Sequence, residues 1–225
     1  MATLLTAWTP EILTQVVGVP APGIKFAVRN AAIKFCEETL LWTTTLDRIS
    51  IVAGTGSYAL TMPVSQDGEI INIDNVKFKE DGQDDDQFRR LDPISETQQD
   101  LIDSGSWSFL SGPNPNNYYS DFLNKQLNFY QIPTVASASG VLVKVNVRPE
   151  IDCDDLPDFL YQDYREKIKH GALEFLFGSK AMAWYDIEKS MYHGAMFKDA
   201  CADGKQDRIS GPTKRPMSVR MRNWL

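Results

Sequence analysis

Apolar residues recur at steps of three or four along LPDFLYQDYREKIKHGALEFLF, Leu156 to Phe177. Leu160, Tyr164, Ile168, Ala172 and Phe175 make one stripe, while Gln162, Arg165, Glu166 and Lys169 point away. The spacing predicts an amphipathic helix of about six turns. Asp155 is placed to cap it, Pro157 sits where its missing N–H costs nothing, Asp158 puts negative charge in the first turn, and Gly178 follows the last periodic residue. A second run, Tyr185 to Ala202, repeats the pattern with Ile187, Met191 and Ala195, and Gly194 turns the same way. Gly171 and Gly194 each cost about 1 kcal/mol of helix propensity against alanine, so close backbone approach is expected on the inner stripe. The short link from Ser179 to Trp184 predicts an antiparallel hairpin.

The N-terminal part has the same period. TPEILTQVV, residues 9–17, predicts a short helix capped by Thr9 and opened by Pro10, with Glu11 favouring its dipole and Gly18 and Pro20 breaking it. Pro22 then opens a helix through about Leu41, with Ile24, Val28, Ala31 and Phe35 on one face and Lys25, Arg29, Lys34 and Glu38 on others. Its match to the C-terminal pair predicts that both ends of the chain meet in one bundle.

Between them the period falls to two. Ile49, Ile51 and Ala53 alternate with other residues, Gly54-Thr55-Gly56 turns the chain, and Tyr58 to Met62 answers as a second strand ending at Pro63. In Glu69 to Phe78 the apolar phase shifts from Ile71 and Ile73 to Val76 and Phe78, which predicts a bulge or bend. Asp81-Gly82 marks a hairpin with Phe88 to Leu91 returning. Asp92 and Pro93 read as the cap and first residue of a short helix to Ile102. Gly112 to Asn117 is turn chemistry, and Tyr118 to Phe122 pairs with Gln126 to Ile132 around Asn124-Lys125. Val141, Val143, Val145 and Val147 make the clearest strand, ending at Pro149.

Runs of helix, then strand, then helix imply an α+β fold, not a βαβ nucleotide-binding sheet. The expected organisation is a helical bundle from residues 1–45 and 150–204, an inserted antiparallel β-rich portion with a short helix over 46–149, and a flexible, extended C-terminal arm over 205–225. Lys205, Arg208, Lys214, Arg215, Arg220 and Arg222 face only Asp207 in that arm, a balance of +5 that leaves −12 on the rest of a chain whose total is −7. The segment SGPTKRPMSVRMRNWL is too polar to bury a core alone, yet it ends in Trp224-Leu225.

Composition narrows the class. With 225 residues and 43% hydrophobic content the chain can bury a sizeable core. No stretch reaches the roughly 18 apolar residues of a membrane span, and no basic region precedes an apolar block at the N-terminus, so neither membrane insertion nor secretion is expected. Cys36, Cys153 and Cys201 are odd in number and widely spaced, which fits buried free thiols in a reducing compartment.

Candidate chemistry is sparse. His170 and His193 sit in helices without HExxH spacing, which favours packing histidines over a general base. Gly54-Thr55-Gly56 lacks the downstream glycine and lysine of a phosphate loop. Asp81, Asp84, Asp85 and Asp86 lack the alternation and closing glutamate of a calcium loop and read as a solvated hairpin tip. Asp152, Asp154, Asp155 and Asp158 crowd a helix start, where capping and the dipole account for them. No cofactor or metal is expected. A strongly acidic body would repel a phosphate backbone, so the basic tail points to a protein partner.

Four stretches carry a family resemblance: VRNAAIKFCEETLLW at Val28 to Trp42, GTGSYAL at Gly54 to Leu60, QLNFYQIP at Gln126 to Pro133, and the Leu156 to Phe177 run with the helix after it. Together they resemble a bacteriophage head-to-tail adaptor, the connector that docks beneath the portal in tailed phages. The resemblance implies a non-enzymatic virion subunit at the head-tail interface, present in the host cytoplasm during assembly. It implies a homo-oligomeric ring, commonly twelvefold, that binds the portal protein and a tail nozzle or tail tube protein, with genomic DNA passing through its channel. It also implies a C-terminal arm that reaches the portal, with Lys214, Arg215, Val219, Arg220, Met221, Arg222, Trp224 and Leu225 as candidate contacts; such an arm can order on a partner and gain avidity from repetition around a ring.

Two other classes compete. A metal-dependent hydrolase would bring clustered acidic residues together around an open metal position. A nucleic-acid-binding module would use the basic tail and show salt-dependent affinity.

Overall fold

The computed structural model of the chain describes residues 2–63, 68–94, 111–121 and 124–211. The helices are α1 (Thr9–Leu13), α2 (Ala21–Thr39), α3 (Asp158–Phe177) and α4 (Ile187–Ser210), with a 3-10 turn at Leu5–Trp8. The strands are β1 (Ala2–Leu4), β2 (Thr43–Thr45), β3 (Ile49–Ile51), β4 (Ser57–Ala59), β5 (Glu69–Phe78), β6 (Arg89–Arg90) and β7 (Asp92–Pro93), then β8 (Ser111–Gly112), β9 (Asn117–Asp121), β10 (Gln126–Phe129), β11 (Ile132–Pro133), β12 (Ser137–Arg148) and β13 (Asp155–Pro157). The fold is α+β. The chain separates into two compact units, one from the described residues of Met1–Trp42 and Arg148–Leu225, the other from those of Thr43–Val147.

In the first unit α3 packs on both α2 and α4. Ile24, Val28, Ala31 and Phe35 of α2 and Leu160, Ile168 and Ala172 of α3 are buried, as their spacing requires, while Tyr164 is half-buried and Leu176, outside the expected stripe, is buried. Each fully buried Leu, Ile or Phe contributes about 1.5–3 kcal/mol. Phe175, assigned to the same stripe, is exposed, with its ring edge against Phe26. The start of α3 also departs from expectation. Asp155 does not cap it: Asp155–Pro157 is strand β13, pairing antiparallel with β1 so that Thr3 faces Leu156. Pro157 therefore occupies the cap position, and the Asp158 carboxylate accepts a 2.6 Å bond from the Thr3 hydroxyl. Likewise Thr9 makes no side-chain cap; α1 is a single short turn of helix carried on from Leu5–Trp8.

Helix α4 corrects two expectations. Its buried residues are His193, Phe197, Ala200, Cys201 and Gly204, whereas Ile187, Met191 and Ala195 face outward. The helix is apolar on two faces, so period alone could not select the one that packs. It also continues past Ala202 to Ser210, so residues 205–210 are helix and not arm. Contacts to neighbouring helices hold this extension: Lys205 pairs with Glu38 at 3.0 Å, and the Tyr164 hydroxyl donates to Asp207 at 3.2 Å. Gly211, at φ +65°, ends it.

The second unit centres on β12, whose Val141, Val143, Val145 and Val147 are all fully buried. Its sheet runs β2-β12-β5-β6, with β3 also paired to β12 across a register shift between Ser137 and Val141. Strand β5 covers the whole of Glu69–Phe78, and a register irregularity lies where β12 meets β3. The Asp81-Gly82 turn is present, Gly82 taking φ +78°, and Lys77 pairs with Arg90 across it. A second sheet runs β4-β10-β9-β7. Here β4 pairs with β10, Tyr58 opposite Leu127, and not with β3 as the Gly54-Thr55-Gly56 turn suggested. Instead the Tyr58 hydroxyl accepts from the Val52 amide at 3.0 Å and ties the turn back on itself. The β9–β10 hairpin forms as expected around Asn124 and Lys125, with Asp121 accepting from the Asn124 amide. Phe122 lies outside the described residues. Asp92–Pro93 is a strand parallel to β9, not a helix start, and the remainder of the expected helix to Ile102 lies outside the described residues, apart from Ile94, which donates its amide to Tyr118.

Candidate functional site

Lys214, Arg215, Val219, Arg220, Met221, Arg222, Trp224 and Leu225 lie outside the described residues. The described element that leads to them is α4, and its seating can be followed along its length. Asp186 caps it by accepting from the Lys189 amide at 3.1 Å, while the Asp186 amide donates to Phe177 O at 3.0 Å and closes the hairpin with α3. Next, the Ser190 hydroxyl donates to Glu174 O at 3.0 Å. Midway, Gly171 lets α3 approach so closely that an added Cβ would stand 2.7 Å from the Phe197 ring. Toward the end, Lys167 pairs with Asp203 at 3.4 Å, and Gly204 passes Thr39 where a Cβ would lie 2.7 Å from its methyl. Gly194 differs, because its nearest neighbour is the mobile end of the Glu174 side chain.

Between these points His170 and His193 meet, Nδ1 to Nδ1 at 2.8 Å, and the His193 ring stacks on Phe177 with planes 5° apart. Both histidines are pushed below the ordinary imidazole range, first by burial; Lys169 adds to the effect at His170, and His170, Lys169 and Lys189 at His193. Sequence reading placed each in a helix but missed the pairing. The available signal was the antiparallel hairpin, which sets residues equidistant from its turn opposite one another.

Two of the remaining candidate carboxylates are held in ion pairs. Asp85 meets Arg48 at 2.6 Å and Lys79 at 2.8 Å, and these cations hold its carboxyl down at about 2. Asp154 faces Lys25 and Arg29. All three cysteines are free thiols; burial pushes Cys36 up to about 12 and Cys201 to about 11, far from thiolate chemistry at neutral pH. Among the described residues no group of three or more His, Cys, Asp or Glu is placed to hold a metal, and no helix is long and apolar enough to cross a membrane. Two adjoining clefts of about 380 and 350 Å³ lie along α2, α3 and α4, sharing Lys34, Glu174 and Phe197. Lys34 and Glu174 pair there at 3.8 Å. The unit thus offers seated helices and exposed faces.

The sequence matches the SU10 adaptor protein family over residues 7–220. The chain belongs to that family. As an SU10 adaptor protein it is a phage head-to-tail adaptor, a structural protein of the virion. The match takes in α1 through α4, strands β2 to β13 and the first part of the basic segment after Gly211. No curated protein matches the chain.

Proposed function

We propose that this adaptor assembles as a closed ring, twelvefold in the expected form, that docks on the portal through its C-terminal arm and joins the capsid to a tail nozzle or tube protein. The observation that carries the reading is the family match over residues 7–220, which spans the helical unit, the β-rich unit and the start of the arm. The seating of α4 adds a physical reason. A helix fixed along its length to α2 and α3 gives the arm a rigid base, so partner binding pulls on the folded unit. Lys214, Arg215, Arg220 and Arg222 supply charge and Val219, Met221, Trp224 and Leu225 apolar anchors. Each arm needs only modest affinity, because repetition around a ring multiplies it.

In this proposal DNA passes the central channel without sequence-specific binding. A body at about −12 neutralises few phosphates, so the duplex slides without adhering. The role requires no turnover of substrate. The test is electron microscopy of the purified protein with and without portal-bearing capsids, beside protein lacking residues 212–225. Rings on the portal vertex that vanish with the deletion are the expected result. Wild-type protein that never attaches, or attachment that survives the deletion, overturns the ring or the arm respectively.

A further inference from the structure

Helices α2, α3 and α4 leave an open groove along one side of their bundle. Its two clefts join at the buried Phe197, which lines both; Gly171 and Phe175 continue the apolar lining of one, and Cys201 and Ala202 that of the other. The charges on its rim already meet inside the chain, Lys34 with Glu174 at 3.8 Å and Lys205 with Glu38 at 3.0 Å. The groove therefore asks for apolar atoms before it asks for charge. Where it opens at Phe175, the Phe26 ring stands edge-on to that ring at 5.5 Å, and both are exposed. Single exposed apolar residues are ordinary, but an aromatic pair at the mouth of an apolar groove marks a place to be covered.

The segment that follows α4 has the pattern and the reach to cover it. Gly211, at φ +65°, ends the helix, and Pro212 bars its resumption. Farther on, Met217, Val219 and Met221 alternate with Ser218, Arg220 and Arg222, the period of an extended strand with one apolar edge. Along α4 the groove runs from Ala202 back to Ser190, about 18 Å at the rise of a helix, and an extended chain from Met217 to Met221 covers about 13 Å. Ala202 lies about 14 Å back from Gly211 along the helix, and the link from Gly211 to Met217 spans up to about 20 Å. The sign of charge agrees too. Residues 212–225 carry Lys214, Arg215, Arg220 and Arg222 without an acidic residue, +4 in a chain whose total is −7, so the rest of the chain attracts them.

We infer that this groove holds the chain's own C-terminal arm when no partner is bound, with Met217, Val219 and Met221 laid against Ala202, Cys201 and Phe197, and Trp224 reaching the Phe175–Phe26 pair. Tethering favours this occupant over a free peptide or a second copy. A segment joined to the groove by a short link is present at an effective concentration on the order of millimolar, whatever the protein concentration. The same side chains then cannot serve two surfaces at once. The arm must leave the groove before Val219, Met221 and Trp224 can anchor elsewhere, and its apparent affinity for a partner falls by the fraction of arms that are held.

The release step rests on the portal reading and the groove contact does not, so one experiment separates them. Photo-methionine is incorporated into the full-length protein, isotopically labelled and unlabelled chains are mixed, and the cross-links are mapped by mass spectrometry. Met217 and Met221 are expected to link to Phe197, Cys201 or Ala202 of the same chain. Ala202→Trp fills the groove from an exposed position and should lower those links at least tenfold; Lys198→Trp, also at an exposed position lining the groove, serves if the circular dichroism of the first variant departs from wild type. Absence of the links, links found only between labelled and unlabelled chains, or links undiminished in the filled groove overturn the inference. Portal-bearing capsids should lower the links as the protein binds them, and bound protein with its links intact overturns the release step. Wild-type protein that never binds capsids defeats the portal reading instead, while same-chain links still establish the groove contact.

Discussion

His170 Nδ1 lies 2.8 Å from His193 Nδ1 across the α3–α4 contact, and that bond needs at least one neutral ring to accept. The groups facing the pair are Lys169 and Glu166 on α3 and Lys189 on α4, with the Phe177 ring beneath His193. Both imidazoles titrate below their ordinary value of 6.5 in the folded chain, so the unfolded chain binds more protons as pH falls through that value. Their contribution is complete above pH 6.5 and is lost progressively below it. Thermal melts should therefore show a lower melting temperature at pH 5 than at pH 7. In His170→Gln/His193→Gln that slope should flatten; an unchanged slope would remove the pair as its cause.

Gly171 and Gly194 separate two reasons for a glycine in a helix. At Gly171 a Cβ would lie 2.7 Å from the Phe197 ring and 3.0 Å from the Ala31 Cβ, atoms that the core holds in place. Gly171→Ala gains about 1 kcal/mol of helix propensity but overpacks, at about 1–3 kcal/mol, so a net loss is expected in urea unfolding. At Gly194 the obstacle is the end of the Glu174 side chain, which can swing aside, so Gly194→Ala should stabilise by about 0.5–1 kcal/mol. Equal effects at the two sites would contradict the packing described.

The same contrast shows what was legible in the sequence. The stripe of Ile24, Val28, Ala31 and Phe35 and the alternation from Val141 to Val147 each have one apolar phase, and both elements bury the residues that pattern selects. Helix α4 has two, and only its neighbours decide that Phe197 packs while Met191 does not. Pairings between distant segments were equally hidden. Nothing local to Asp155 announces that β1, at the far end of the chain, will take it into a strand, and nothing local to Tyr58 directs β4 to β10 instead of β3. Asp92-Pro93 obeyed the rule for a helix start and became a strand beside Asn117–Tyr118.

Asp85 was read as part of a solvated hairpin tip, and its two cations give that tip a titration signature. The hydrogen bonds from Arg48 and then Lys79 lower its carboxyl from the ordinary 3.8 to about 2. Any stability drawn from this cluster is present above pH 3.8 and fades as pH falls through about 2. Carboxyl NMR should place the Asp85 midpoint near 2. Arg48→Ala should move it upward, toward an unpaired carboxyl, and a midpoint that stays put would mean that Arg48 does not hold it.

Trp224→Ala tests whether the arm acts through many weak contacts or a few strong ones. If each arm loses about 1.4 kcal/mol, a single contact weakens about tenfold, which one arm in isolation would register as a modest effect. In a ring the losses combine, so uniform Trp224→Ala rings should fail to remain on portal-bearing capsids during sedimentation. Mixed rings carry the decisive information. When wild-type and Trp224→Ala subunits are combined, retention should rise steeply once enough intact arms share a ring, because attachment depends on their number taken together. Retention proportional to the wild-type fraction would instead mean that each arm binds independently, and retention unaffected by the variant would take Trp224 out of the portal contact.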